Sequence, residues 1–286
     1  MEYVTLSNGV EMPILGYGTY LVSPEECENL VLEAIATGYR SIDTAQAYYN
    51  EEGVGNAISK CGILREELFL TTKVWVSEAG YEKAKASIHE SLRKLQTDYV
   101  DLLLIHQPYG DYYGTWRAME EAYKEGKVRA IGLSNFAADR FIDLVTFSEV
   151  KPVMNQLETH LFQQQKFNRR YLEKYGALLE AWSPLARGEK NMFSNPYLLE
   201  VGKKYNKSAS QVALRFLVQS GIVTLVKSST PEHMKENIDI FDFVLSEEEM
   251  KTMEDMDEGV NFFMEHDNPE HMYNFFGNYG FNSTDK

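Results

Sequence analysis

Eight short apolar segments, each followed by a helix-patterned stretch, limit this chain's fold more than any other feature. They occupy residues 14–18, 39–42, 68–73, 100–105, 129–133, 153–157, 177–182 and 222–226. Runs that are apolar almost throughout read as strands buried on both faces, and strands alternating with helices pair in parallel. With eight such units the economical α/β architecture is a closed (β/α)8 TIM barrel, because closure leaves no edge strand. Ser7-Asn8-Gly9 lies between two short runs near the amino terminus and signals a β-hairpin, expected to cap the barrel bottom. Ser23, Pro24 and Glu26 predict a capped helix start and Gly38 its end, while Ser208 and Gln211 predict a second capping box. No linker or repeat interrupts the alternation, so residues 1–286 are expected to form one domain.

Composition narrows the partners. The formal net charge of −15 disfavours nucleic acid and anionic membrane surfaces. Cys27 and Cys61 are the only cysteines, as expected for free thiols in a reducing compartment. The amino terminus is neither basic nor a continuous apolar block, and no apolar run approaches the ~18 residues needed to span a bilayer. A cytoplasmic, soluble protein is expected.

In a barrel, the carboxyl ends of the strands converge on one mouth. Asp43, Lys73 and His106 stand at the ends of three successive strands, and Tyr48 lies on the loop after Asp43. Singly, each has an ordinary reading: a solvated or paired strand-end charge, a rim histidine, one of 18 tyrosines. Jointly they say more. A lysine at a buried strand end needs a carboxylate, and Asp43 is placed to supply it. A phenol with a reference pKa of ~10 holds its proton tightly, and a neighbouring ammonium is expected to lower that value. His106 could then orient a carbonyl oxygen beside the phenol. Protonation of a carbonyl oxygen suggests carbonyl reduction, with the hydride coming from a cofactor because no side chain provides one.

Residues 16–21 (GYGTYL) lack the third glycine of the Rossmann fingerprint. Later strand ends suit a dinucleotide better. Ser134-Asn135 and Asn155-Gln156 offer groups for a carboxamide, and Trp182 offers a face for a flat ring. Lys227 lies beside a helix start at Thr230-Pro231, which is either a phosphate site or an ordinary capped helix with a nearby lysine.

Residues 38–55, DLLLIHQP at 101–108, GKVRAIGLSNF at 126–136, PVMNQLE at 152–158, AWSPLARG at 181–188 and residues 227–237 carry a resemblance. Through them the chain resembles the aldo-keto reductase family, in particular its bacterial short-loop members, over nearly its whole length. The resemblance implies a catalytic tetrad of Asp43, Tyr48, Lys73 and His106, with Tyr48 as general acid. It implies NADPH as cofactor, with NADH as the alternative. Contacts to it would come from Thr19, Asp43, Ser134, Asn135, Gln156 and Trp182, then from Ser183, Leu185, Lys227, Ser228, Thr230, His233, Glu236 and Asn237. Tyr20 and Trp75 would line the substrate pocket with Tyr48 and His106. A small carbonyl substrate, a monomer and no metal follow from the same likeness.

Two positions depart from the family pattern. Val226 stands where a proline is common before Lys227-Ser228, and His233 stands where an arginine usually grips the 2′-phosphate. An imidazole is a poorer phosphate partner than a permanently charged, bidentate guanidinium. The aromatic tail after residue 257 (Phe262, Phe263, Tyr273, Phe275, Phe276, Tyr279, Phe281) either packs against the barrel or covers its mouth. A nucleotide-binding regulator and a metal-dependent hydrolase are the competing readings. The intact tetrad argues against the first, and the lack of His-x-His spacing argues against the second.

Overall fold

A computed structural model describes residues 1–281, so residues 282–286 of the expected domain and tail lie outside the described residues. The hairpin forms from β1 (Tyr3–Thr5) and β2 (Glu11–Pro13), paired antiparallel. The remaining strands are β3 (Leu15–Gly18), β4 (Ser41–Asp43), β5 (Phe69–Val74), β6 (Leu102–Ile105), β7 (Ile131–Ser134), β8 (Met154–Glu158), β9 (Leu178–Trp182) and β10 (Val223–Val226). They pair in parallel in sequence order, and β10 closes on β3 with Thr224 opposite Leu15 and Val226 opposite Tyr17. Every expected strand is therefore present, displaced by no more than a residue or two at its ends.

The helices packed around the barrel are α1 (Pro24–Thr37), α2 (Glu51–Lys60), α3 (Tyr81–Leu95), α4 (Tyr112–Lys124), α5 (Ala138–Phe147) and α6 (Lys166–Lys174). After β9 come α7 (Pro196–Tyr205) and α8 (Ala209–Gln219), and after β10 come α9 (Pro231–Ile238), α10 (Glu247–Glu254) and α11 (Pro269–Asn278). Ser208 and Gln211 make the full reciprocal capping box of α8. At α1 only half of the expected box forms. Ser23 accepts from the Glu26 amide but donates to the Glu26 carboxylate, which turns that carboxylate away from the Ser23 backbone. Gly38 ends α1 at φ 117, a left-handed geometry that a side chain would strain.

A separate apolar region closes one end of the barrel. At the bottom, Leu6 and Met12 of the hairpin region pack with Phe69, Leu102, Leu104, Val153 and Val223 near the amino-terminal ends of the strands. The hairpin thus caps that end, leaving the opposite mouth for polar groups. Among the described residues no helix is long and apolar enough to cross a membrane.

Candidate active site

The mouth is built from strand ends. Lys73, on β5, is fully buried and donates to the Asp43 carboxylate of β4 and to the Thr44 carbonyl at 3.1 Å. Tyr48 follows β4 on a single helical turn, Gln46–Tyr48. Gln46 pins that turn by accepting from the Trp75 amide at 2.8 Å. Its exit is pinned by Asn50, whose side-chain oxygen accepts from Thr44 and whose amide donates to the Thr19 and Val22 carbonyls. The result places the Lys73 ammonium 5.1 Å from the centroid of the Tyr48 ring, and the His106 ring 5.4 Å from it, edge to face. The Trp75 and His106 ring centroids lie 4.9 Å apart, also edge to face. Asp43, Tyr48, Lys73 and His106 therefore meet at one mouth.

Their electrostatics differ from the simplest expectation in one respect. The Tyr48 phenol is held well above its ordinary pKa, first by burial and then by the Asp43 carboxylate, rather than lowered by Lys73. The ammonium is already committed to Asp43, so its field at the phenol is largely cancelled. Burial also raises Asp43, with Lys73 and the Gln156 amide opposing. His106 is driven well below the usual histidine value by burial, Lys73 and His266, and stays neutral.

A cavity of about 530 Å³ runs from Tyr48, Trp75 and His106 past Ser134, Asn135, Gln156 and Trp182 to Ser183, Leu185, Arg187 and Lys227. Asn135 takes a left-handed backbone (φ 66), donates to the His106 carbonyl at 3.0 Å and accepts from the Trp182 indole at 2.9 Å. That ties the expected carboxamide group to the expected stacking face. Tyr20 and Trp75 line the same cavity. Thr19 does not: it is fully buried, and its hydroxyl and amide both donate to the Asp43 carbonyl. Ser228, Thr230, His233, Glu236 and Asn237 are not among the cavity's lining residues. Ser228 and Asn237 are buried, Glu236 is half-buried, and Thr230 and His233 are exposed at the start of α9.

The tail covers the mouth as well as packing. Phe275 joins Trp75 and Tyr109 in an apolar cluster, and Phe263, Met264, His266, Phe275 and Tyr279 line the cavity. Burial and Arg140 push His266 down to about 4. Asn50 and Glu180 were not singled out by sequence, although each carried a signal: an Asn just before a helix, and a carboxylate inside an apolar strand. Among the described residues no three of His, Cys, Asp and Glu group so as to hold a metal ion.

A profile described as Aldo/keto reductase family matches residues 14–258. Glyoxal reductase of Bacillus subtilis (strain 168) is 49% identical over 251 residues, which cover 87% of this chain and 90% of that protein. The crystal structure of MGS-M4, an aldo-keto reductase enzyme from a Medee basin deep-sea metagenome library, superposes with a TM-score of 0.90 at 42% identity, covering 93% of this chain and 99% of that one. The Bombyx mori aldo-keto reductase in complex with NADP gives a TM-score of 0.86 at 34% identity, covering 91% of this chain and 94% of its own.

Proposed function

The chain belongs to the aldo/keto reductase family, and we propose that it reduces small aldehydes, 2-oxoaldehydes among them, with NADPH and with Tyr48 as proton donor. One observation carries this reading. Tyr48 and His106 open onto the same cavity, and behind them a buried lysine is locked to Asp43 near the phenol ring.

Burial keeps the Tyr48 proton in place at neutral pH. As a carbonyl oxygen gains negative charge its proton affinity rises toward that of the phenol, and the proton moves to it. Only the field that the Lys73 ammonium retains beside Asp43 favours the phenolate left behind. Neutral His106 can offer a ring N–H to the same oxygen without adding a second charge. A bound nicotinamide dinucleotide supplies the hydride. The elongated cavity fits such a group: Ser134, Asn135 and Gln156 would hold its carboxamide, Trp182 its ring face, and Lys227 a phosphate. Tyr20, Trp75, Phe275 and Tyr279 narrow the substrate end with aromatic surface, which favours small carbonyl compounds. Glyoxal reduction, named for the Bacillus subtilis relative, is the reaction to try first. We further propose that the enzyme acts as a monomer.

The test is a fluorescence titration with NADPH and NADH, followed by coenzyme oxidation with glyoxal, methylglyoxal and benzaldehyde. Saturable quenching by NADPH with turnover of at least one aldehyde is expected. Binding of neither coenzyme would overturn the reading.

A further inference from the structure

Glu180 sits in the middle of β9, fully buried and opposite Gln156 of β8. The Gln156 side-chain nitrogen donates to Glu180 Oε2 at 2.8 Å and to Asp43 Oδ2 at 3.1 Å. Both N–H bonds of that amide are therefore used on carboxyl groups, and the Asp43 carboxylate sets its orientation, since the flipped amide would turn its oxygen against that charge. The carbonyl oxygen of Gln156 is left for the cavity that the residue lines.

The charge balance then matters. One ammonium, Lys73, faces two carboxyl groups, and it contacts only Asp43. Glu180 Oε1 is buried without any hydrogen-bond partner. An ionised carboxylate with one bare oxygen in a dry interior is strongly disfavoured, so of the two carboxyl groups Glu180 is the one that keeps its proton. Burial, followed by the Asp43 charge, pushes Glu180 up to about 8. The charged and titratable groups facing it are Asp43 and Lys73, with Tyr48 feeling its charge.

We propose that Glu180 is a positioning residue for the nicotinamide end of the coenzyme. As a neutral acid it takes one N–H of Gln156, so that Gln156 presents its carbonyl oxygen to a ligand N–H such as that of a primary carboxamide. It acts as an acceptor and not as a counter-ion of Lys73. This rests on the reductase reading above. Ionisation of Glu180 adds a second negative charge beside the Asp43–Lys73 pair and disturbs the site.

Glu180→Gln keeps an acceptor oxygen without charge, whereas Glu180→Leu removes it. NADPH affinity from tryptophan quenching should stay within ~3-fold of wild type in Glu180→Gln and weaken at least ~5-fold in Glu180→Leu, the lower bound when a buried donor is left unsatisfied. In wild type kcat should fall above about pH 8, and in Glu180→Gln that fall should be absent. Infrared spectra of the coenzyme-free protein should show a protonated carboxyl band at neutral pH that Glu180→Gln lacks. Equal damage by both substitutions would identify Glu180 as a required anion, and equal tolerance would remove its positioning role. If Glu180→Leu does not fold, the infrared band and the Glu180→Gln pH profile decide. Should wild type bind no coenzyme, the reductase reading fails, while the infrared band still tests whether Glu180 is neutral.

Discussion

The Lys73 ammonium lies 5.1 Å from the centroid of the Tyr48 ring while its bonds go to Asp43 and the Thr44 carbonyl. Its position therefore does not depend on the Tyr48 hydroxyl. Tyr48→Phe should leave NADPH affinity within ~2-fold of wild type and reduce kcat by ~10²–10⁴-fold, the usual worth of a positioned acid. Turnover of glyoxal with the purified variant checks this. Near-normal turnover would remove Tyr48 from the acid role.

Lys73→Met leaves Asp43 buried beside an apolar side chain. Breaking one partner of a buried pair costs ~3–5 kcal/mol, visible as a lower urea midpoint. The double variant Asp43→Leu/Lys73→Met should recover part of that loss, because no charge is then stranded. If Lys73→Met were as stable as wild type, Asp43 would already be neutral in the folded protein.

The barrel was legible because each strand is a short apolar run ended by a change of period, and its closure follows from their number. The meeting of Asp43, Tyr48, Lys73 and His106 at one mouth was legible because Asp43, Lys73 and His106 end successive strands. What escaped depends on burial and on contacts far apart in sequence. Lys73 beside Tyr48 suggested a lowered phenol pKa, but dehydration and the Asp43 charge outweigh an ammonium already spent on Asp43. Phe275 reaches Trp75 from about 200 residues further along the chain, with ring centroids 5.7 Å apart, and no local pattern encodes that meeting. The helix α7 was passed over although Asn195 caps it and Pro196 opens it.

His106 is kept neutral in the folded protein, well below the ~6.5 expected when unfolded. Above ~6.5 both states are neutral and stability is unaffected by this group. Below it the unfolded chain takes up a proton that the folded chain refuses, so stability falls by about 1.4 kcal/mol per pH unit. His106→Gln should flatten the stability slope on the acid side of ~6.5, read by thermal melts in matched buffers. An unchanged slope would mean that His106 titrates normally in the fold.

His233 is exposed in the first turn of α9, after the cavity-lining Lys227. If the 2′-phosphate of NADPH binds there, His233→Arg adds a charged, bidentate partner. NADPH affinity should rise ~5–10-fold, less than the full worth of a charge-assisted hydrogen bond because the site is exposed, while NADH affinity should stay unchanged. Parallel fluorescence titrations separate the cases. Equal gains for both coenzymes would show that position 233 does not sense the phosphate.

Glu158, buried at the end of β8, accepts from the amides of Phe262 at 2.5 Å and Phe263 at 3.2 Å, and its carboxylate also meets His160 at 3.2 Å. One carboxylate thereby fixes the segment whose Phe263 and Met264 wall the cavity. Arg187, 4.1 Å from the Phe263 ring, adds a second hold from across the mouth. Glu158→Ala removes the acceptor of two successive amides, each worth ~1–3 kcal/mol when left unsatisfied, and the segment should open locally without disturbing the tetrad. The expected signature is a higher KM for the aldehyde with kcat nearly unchanged, the pattern of lost binding that is equal in ground and transition states. Hydrogen exchange at the Phe262 and Phe263 amides should speed up in parallel. If exchange and KM both stay at wild-type values, the Arg187 contact holds the wall, and Arg187→Ala becomes the variant that loosens it.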